Sequence, residues 1–273
     1  MLVSSTIWVL ILAIIPVILY SRLVYETVPT NFVSLKKAKR YLVSGLFSPM
    51  LISLFYFLFP NWGDAQSSNL GISIFILAFL QVGFLEEFVK YIINWQVGSE
   101  RVFEKYDLPI ATMFYSMMVA VGFAITENVS YLISEQNNIN YLQQYIPYHL
   151  DSSQRLTSIA LGRSLSAVIV HMICGVIMGY FLSKAHILKY QNPKNIILRY
   201  KTILSGIAYA ALFHGVYDYN LFLEDNKYSN VFAFMIIIFG LFIGNFIIND
   251  LIKDSKILKD KQDLIKECHE TEK

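Results

Sequence analysis

Two adjacent carboxylates, Glu86 and Glu87, lie in the middle of a segment that is apolar enough to cross a lipid bilayer. Lys90 follows on the same predicted helix, four residues after Glu86, so Glu86 and Lys90 share a face. An ionisable side chain at bilayer depth costs roughly 2.5–3.5 kcal/mol to insert, and such residues usually mark a functional interior. A carboxylate in this position can activate a water molecule as a general base, or it can bind a metal ion.

Three later apolar segments carry the same kind of residue, in the pairs Glu127 and Asn128, Arg163 and His171, and His214 and Asp218. The helical rise puts the Glu86–Glu87 pair and both histidines roughly 14–18 Å from the predicted cytoplasmic ends of their segments. Glu127 falls somewhat deeper, at roughly 21–27 Å by the same measure. The spacing therefore predicts a layer of carboxylates and imidazoles near the middle of the membrane.

Spacing within single helices predicts how some of these side chains support one another. His214 and Asp218 are four residues apart, and a carboxylate beside an imidazole fixes its tautomer and orientation. Arg163 and His171 are eight residues apart and share a face of a continuous helix, which leaves Arg163 placed to pair with Glu127.

Two hydrolytic chemistries fit this set of side chains. In the first, Glu86 or Glu87 activates water, while His171 and His214 bind and polarise a carbonyl oxygen. In the second, a metal ion is held by ligands from separate helices, with Zn²⁺ as the candidate and no other cofactor implied. The possible ligands are Glu87, Glu127, His171, His214 and Asp218. The chain has no HExxH motif, no GxSG-type serine motif and no aspartyl GxGD pair.

The composition is that of an integral membrane protein with an all-α fold. Of 273 residues, 55% are hydrophobic and only 15% are charged, against about 25% charged residues in soluble domains. Seven segments are long enough to span a bilayer: 3–21, 42–60, 71–96, 109–134, 157–183, 202–222 and 230–249. Lys and Arg gather in 22–41, in 184–201 and after 249, which predicts an outside N-terminus and a cytoplasmic C-terminus.

These segments predict one transmembrane domain over residues 1–249, with a motif-bearing core at about 71–222. The first segment lacks a basic start and a cleavage site, so we expect an uncleaved anchor. Residues 250–273 are expected to form an amphipathic or flexible cytoplasmic tail, and the loop 135–156 an interfacial segment or a lid. Cys174 in mid-span and Cys268 in the tail cannot meet, which excludes a disulfide framework.

The polar residues fall into four short motifs in a fixed order. They are EExxK at 86–90, FxxxEN at 123–128, His171 with the downstream glycines Gly175 and Gly179, and HxxxD at 214–218. In this order and on four successive segments they resemble the PrsW family of membrane-embedded proteases, over about residues 80–220. That family is similar in pattern to the CAAX prenyl proteases and the bacteriocin-immunity membrane proteins.

The resemblance implies a multi-pass protein of the cell membrane that hydrolyses a peptide bond of a membrane-anchored protein, for example an anti-sigma factor. It leaves a metal-dependent and a glutamate-dependent mechanism open, with Glu86, Glu87, Glu127, His171 and His214 as catalytic candidates. Supporting roles fall to Lys90, Asn128, Arg163 and Asp218. The expected partners are the substrate and the lipid bilayer, with no nucleic acid. An ion- or proton-coupled transporter and a non-catalytic immunity or scaffold protein are the alternatives.

Overall fold

The computed structural model describes residues 11, 14–15, 18–22, 24–28, 32–60, 70–99, 108–145, 152–223 and 228–271. Within these ranges the chain is helical apart from short connections and contains no strand, which confirms the predicted all-α fold. The elements beyond residue 34 are α1 (Leu35–Leu58), α2 (Leu70–Ile76), a π-helical segment (Leu77–Phe84), α3 (Leu85–Ser99), α4 (Pro109–Tyr145), α5 (Ser152–Leu165), α6 (Ala167–Gln191), α7 (Ile196–Phe222) and α8 (Ser229–Thr271).

Six of the seven predicted membrane segments are helices long and apolar enough to cross a bilayer. Their bounds are Leu35–Leu58, Leu70–Val97, Pro109–Ile139, Gln154–Lys189, Ile196–Phe222 and Val231–Asp260. The first predicted segment, 3–21, lies mostly outside the described residues. The chain is a multi-pass membrane protein, while its orientation in the membrane stays a prediction.

Helix α4 is the most buried of the membrane-spanning helices and packs mainly against α1 and α6. In the most apolar window of α4, 83% of the residues are buried, against 17% for α1 and 22% for α8. The outer helices expose large apolar side chains such as Phe242 and Phe246, which are 72% and 69% exposed. An apolar exterior around a buried polar centre is the arrangement expected of a helical bundle in lipid.

Helix α6 packs closely against α4 because α6 carries two glycines at the contact. A Cβ atom at Gly175 would lie 2.8 Å from Met117 Cα, and one at Gly179 would lie 2.6 Å from Met113 Cα. Small residues allow the backbones of membrane helices to approach in this way. The close approach brings the α6 residues that precede these glycines next to the polar residues of α4.

Two local departures from regular helix flank the predicted site. The chain forms a π-helical segment at Leu77–Phe84, immediately before Glu86 and Glu87, and π-helical turns occur frequently at functional sites. The predicted helix 157–183 is interrupted at Ser166, which separates α5 from α6. Arg163 and His171 therefore lie on two separate helices instead of the one continuous helix expected, yet both side chains contact the carboxylate of Glu127.

The first part of the predicted tail continues α8 and packs against the other helices. Leu251 and Ser255 are fully buried, and the backbone N–H of Ile110 in the first turn of α4 donates to Ser255 Oγ at 3.0 Å. Lys184 on α6 forms ion pairs with Asp250 at 2.8 Å and Asp254 at 2.7 Å. The domain boundary at residue 249 stays a prediction.

The predicted outside loop 135–156 is largely helical where the structure describes it. Helix α4 runs on to Tyr145 and α5 begins at Ser152. A small separate core joins the two helices, formed by Leu132, Ile139, Leu156 and Ala160. Glu135 and Arg155 form an ion pair at 2.6 Å in the same region, and the lid function stays a prediction.

Candidate active site and metal centre

Glu87 is the most deeply buried carboxylate of the predicted layer, with no exposed surface. Lys90 Nζ donates a hydrogen bond to Glu87 Oε1 at 2.6 Å, and His214 Nδ1 lies 3.0 Å from the same oxygen. Two buried polar groups, one from α3 and one from α7, therefore meet at one carboxylate oxygen. A buried charge is tolerated when it is paired and hydrogen-bonded in this way.

Glu86 is held more loosely than Glu87 although it is also buried. Its Oε2 atom is 3.6 Å from Lys90 Nζ and 3.9 Å from His214 Nδ1. Among the described residues, Glu86 Oε2 has no hydrogen-bond partner, and the same is true of Glu87 Oε2. Each of the two glutamates thus keeps one carboxylate oxygen in the buried centre with unused capacity to bind a cation or accept a proton.

His171 is held at both ring nitrogens. Nδ1 lies 2.9 Å from Lys90 Nζ, and Nε2 lies 2.6 Å from Glu127 Oε2. Because an ammonium group can only donate, Nδ1 acts as the acceptor, and the Nε2–H group donates to Glu127. This arrangement assigns the neutral ring one tautomer, in which Nδ1 faces the centre of the cluster.

Arg163 fixes Glu127 from the opposite side. Its Nη2 donates to Glu127 Oε1 at 2.5 Å, and its Nε donates to Asn128 Oδ1 at 2.9 Å. The expected Arg163–Glu127 pair is therefore present despite the break between α5 and α6. The Glu127 and Arg163 side chains are 28% and 21% exposed, whereas Lys90 and His171 are each 2% exposed, so the cluster is most accessible at this end.

His214 lies between two carboxylates. Its Nδ1 faces Glu87, and its Nε2 is 3.3 Å from Asp218 Oδ2, an ion-pair distance without hydrogen-bond geometry. The ring also stands edge-on to His171, with 4.9 Å between the ring centroids. Negative groups on both sides favour positive charge at this imidazole, either as a proton or as a bound cation.

The nine residues that the sequence predicts for the site lie in one connected cluster. They are Glu86, Glu87, Lys90, Glu127, Asn128, Arg163, His171, His214 and Asp218. The structure shows the contacts among these residues, while their roles in catalysis and metal binding stay predictions. The sequence does not predict the contact between Lys90 and His171, because the two residues are 81 positions apart and belong to different motifs.

Two groups of buried side chains could hold a metal ion. One consists of Glu86, His171 and His214, and the other of Glu87, Cys174 and His214, with the ligand atoms of each group within 4.8 Å of one another. Glu86 and Cys174 were not among the predicted metal ligands. Cys174 lies one helical turn after His171, and that spacing is the signal that could have identified it.

The charge of the cluster also fits a divalent cation. Four carboxylates belong to it, at Glu86, Glu87, Glu127 and Asp218, but only two side chains of fixed positive charge, Lys90 and Arg163. With all four carboxylates ionised, two negative charges remain without a counter-charge. Uncompensated charge is costly in a membrane interior, and one divalent cation would balance it.

Comparisons with known proteins agree with the geometry. A family model described as "PrsW family intramembrane metalloprotease" matches residues 37–244. The protease PrsW of Oceanobacillus iheyensis is 32% identical over 149 residues, which cover 55% of this chain and 56% of that protein. The protease PrsW of Bacillus subtilis is 31% identical over 180 residues, which cover 64% of this chain and 69% of that protein.

The protease PrsW of Clostridioides difficile is 27% identical over 150 residues, covering 54% of this chain and 52% of that protein. The matched stretches thus span between about half and two thirds of these three relatives. No solved structure matches the chain. Since the family model covers all four motifs and most of the sequence, the chain belongs to the PrsW family of intramembrane metalloproteases.

Proposed function

We propose that the chain is an intramembrane endopeptidase that hydrolyses a peptide bond of a membrane-anchored protein. The observation that carries the proposal is the buried cluster of four carboxylates and two imidazoles, contributed by four helices of one bundle. Packing alone does not need so many ionisable groups, and each is expensive at membrane depth. The membership in a protease family supports the same reaction class.

The metal ion proposed for the site is Zn²⁺, bound by Glu86, His171 and His214. Nitrogen and oxygen ligands from three side chains are typical of catalytic zinc, which keeps one position for water or substrate. His171 would offer Nδ1 to the metal ion in place of the hydrogen bond that this atom accepts from Lys90, because its Nε2–H is engaged with Glu127. A carboxylate beside Nε2 orients a ligand histidine. A cation bound there would supply Lewis acidity towards the peptide carbonyl and the attacking water.

Glu87 is proposed as the group that moves the proton. Its Oε1 is held by Lys90 and His214, while Oε2 has no hydrogen-bond partner in the described part of the chain. Oε2 would accept a proton as water adds to the carbonyl carbon. The same atom would return the proton to the nitrogen of the leaving amine as the carbon–nitrogen bond breaks.

Arg163 and Asn128 are proposed as positioning residues. Arg163 bonds Glu127 and Asn128 through different nitrogens, so it fixes the carboxylate that in turn orients His171. The more exposed end of the cluster, at Glu127 and Arg163, is the proposed route for water. A regulator such as a membrane-anchored anti-sigma factor is the substrate class that the family resemblance favours.

Proteome-wide mapping of newly formed protein N-termini tests the function and does not require an identified substrate. Membranes would be compared from a deletion strain that carries the wild-type chain, Glu87→Gln or His171→Ala. Glu135→Gln and His186→Ala are the matched controls, because they change a carboxylate on α4 and a histidine on α6 outside the cluster. Expression and monodispersity in detergent would establish that each variant folds.

We expect cut ends near transmembrane segments of membrane proteins with the wild type and both controls, and their loss in the two site variants. Equal cleavage by Glu87→Gln, His171→Ala and the wild type would contradict the proposal. So would the absence of any cleavage that depends on the wild-type chain.

A further inference from the structure

Cys174 lies inside the polar cluster and has no part in the proposed reaction. It is fully buried on α6, and its Sγ atom makes one weak hydrogen bond, to the carbonyl oxygen of Ala210 at 3.5 Å. The sulfur lies within 4.8 Å of a carboxylate oxygen of Glu87 and a ring nitrogen of His214. A thiol, a carboxylate and an imidazole from three helices therefore converge on one point.

A second observation indicates that this point can hold a cation. Glu87 Oε2 is buried and lacks a hydrogen-bond partner within the described ranges, although Oε1 of the same carboxylate has two. A buried carboxylate oxygen without a donor is rare in native proteins and often marks a missing ion or water. This oxygen can bind a cation while Oε1 keeps its hydrogen bond from Lys90.

We propose that Cys174, Glu87 and His214 form a second cation position, which binds a soft or borderline divalent cation such as Cd²⁺ or Zn²⁺. Thiolate ligands favour such cations over Mg²⁺ and Ca²⁺, and mixed sulfur, nitrogen and oxygen ligands are common for zinc. When the cation binds, the Cys174 S–H bond gives up its proton to solvent, and the thiolate sulfur bonds to the cation.

The second position and the Glu86–His171–His214 position exclude each other. Both use His214, and a neutral imidazole has only one ring nitrogen with a free lone pair to give to a cation. One cation would therefore occupy either position in a given molecule.

A cation in the second position would engage Glu87 Oε2, the atom proposed to accept the proton from water. Cd²⁺ should therefore inhibit cleavage, and Cys174→Ser should reduce that inhibition. This consequence rests on the proposed function. The binding itself does not, and it can be measured without any substrate.

Cobalt spectroscopy of the detergent-purified full chain tests the binding. The reference protein carries Cys268→Ser, so that Cys174 is its one remaining cysteine. Added Co²⁺ should give a sulfur-to-cobalt charge-transfer band in the near ultraviolet. The band should be absent when Cys174→Ser is added to the reference, retained with His171→Ala, and lost with His214→Ala.

Equilibrium dialysis with Cd²⁺ gives the size of the effect. The reference protein should bind Cd²⁺ at least about tenfold more tightly than the same protein with Cys174→Ser, because a soft ligand is lost. If a variant does not fold, the ¹¹³Cd chemical shift of the reference protein still reports whether sulfur is bound.

Several results would overturn the second position. In the cobalt experiment, these are Co²⁺ binding without a charge-transfer band, a band that persists in Cys174→Ser, and a band that is lost in His171→Ala. In the cadmium experiment, it is a ¹¹³Cd chemical shift typical of oxygen and nitrogen ligands alone. A band that behaves as expected in a protein that cleaves nothing would instead support the second position and contradict the proposed function.

Discussion

Lys90 is the residue at which the buried contacts of the site converge. Its Nζ atom lies 2.6 Å from Glu87 Oε1, 2.9 Å from His171 Nδ1 and 3.6 Å from Glu86 Oε2, and it sits 4.1 Å from the centroid of the Phe123 ring. The ammonium therefore takes the central place among groups that could bind a metal ion. It holds the two glutamates and His171 together through charge and hydrogen bonds.

Replacing Lys90 by Met should strongly destabilise the protein. The change leaves buried carboxylates without their cation, and breaking a buried pair from one side typically costs about 3–5 kcal/mol. Thermal unfolding in detergent should show a clear loss for Lys90→Met, partly recovered in Lys90→Met with Glu87→Gln. Lys184→Met, which removes a 29% exposed partner of Asp250 and Asp254, is the control and should cost about 1 kcal/mol or less.

Arg163 should be sensitive even to replacement by lysine. The guanidinium binds Glu127 and Asn128 through separate nitrogens, and a single ammonium cannot reproduce that fork. We expect cleavage to fall about 10- to 100-fold in Arg163→Lys, and further in Arg163→Gln, as for other groups that orient a metal ligand.

The matched control for this series is Arg155→Lys, which changes the 44% exposed partner of Glu135 outside the cluster. Wild-type cleavage by Arg163→Gln would show that Arg163 does not position Glu127. A loss of cleavage that simply follows a loss of folded protein would give Arg163 a structural role instead.

At the scale of the elements, the α4–α6 contact determines whether His171 reaches Glu127. A methyl group at Gly179 would collide with backbone atoms of Met113, whereas a Cβ at Gly162 on α5 meets no described atom within 4 Å. Gly179→Ala should lower stability by about 1–3 kcal/mol and reduce cleavage, because the two helices must separate.

Gly162→Ala provides the control for the same substitution on a neighbouring helix. It should be neutral, or stabilising by about 0.5–1 kcal/mol, since alanine favours helix over glycine. Thermal unfolding and cleavage of both variants test this prediction together. An equal response to the two substitutions would contradict a special requirement for glycine at position 179.

Sequence patterns predict the helices and the polar layer well because both follow from periodic chemistry. Apolar runs predict the crossing helices, and the rarity of charge in lipid singles out Glu86, Glu127 and His214 without structural information. The same patterns do not predict the π-helical segment or the break at Ser166, since both depend on how neighbouring helices pack. Cys174 is not one of the defining residues of the four motifs. Its spacing from His171 could place it on the same side of α6, and the structure adds that it lies beside Glu87.

At the scale of the whole molecule, the Lys and Arg residues predict a cytoplasmic C-terminus. A green fluorescent protein fused after Lys273 should therefore fluoresce, because this protein folds in the cytoplasm, and an alkaline phosphatase fused there should be inactive. A fusion of each reporter after Leu223, between α7 and α8, is the matched comparison and should give the opposite pattern. The reverse results at the two positions would show that the chain is inserted in the other orientation.

The orientation matters for the chemistry because it decides which side supplies water. The exposed end of the cluster is formed by Glu127 and Arg163. With a cytoplasmic C-terminus, the predicted depth of Glu127 places this end in the outer half of the membrane. Water would then reach the buried glutamates from the extracytoplasmic side.

The metal content of the detergent-purified protein tests the central claim most directly. Mass spectrometry should find about one divalent metal ion, with zinc as the expected element, per wild-type chain. Glu86→Gln and His171→Ala, each combined with Cys174→Ser so that the second position cannot bind zinc, should lose it, while the control His186→Ala with Cys174→Ser should keep it. A folded wild-type protein without stoichiometric metal, or equal metal in Cys174→Ser and in both site variants made with it, would contradict a metal centre formed by Glu86, His171 and His214.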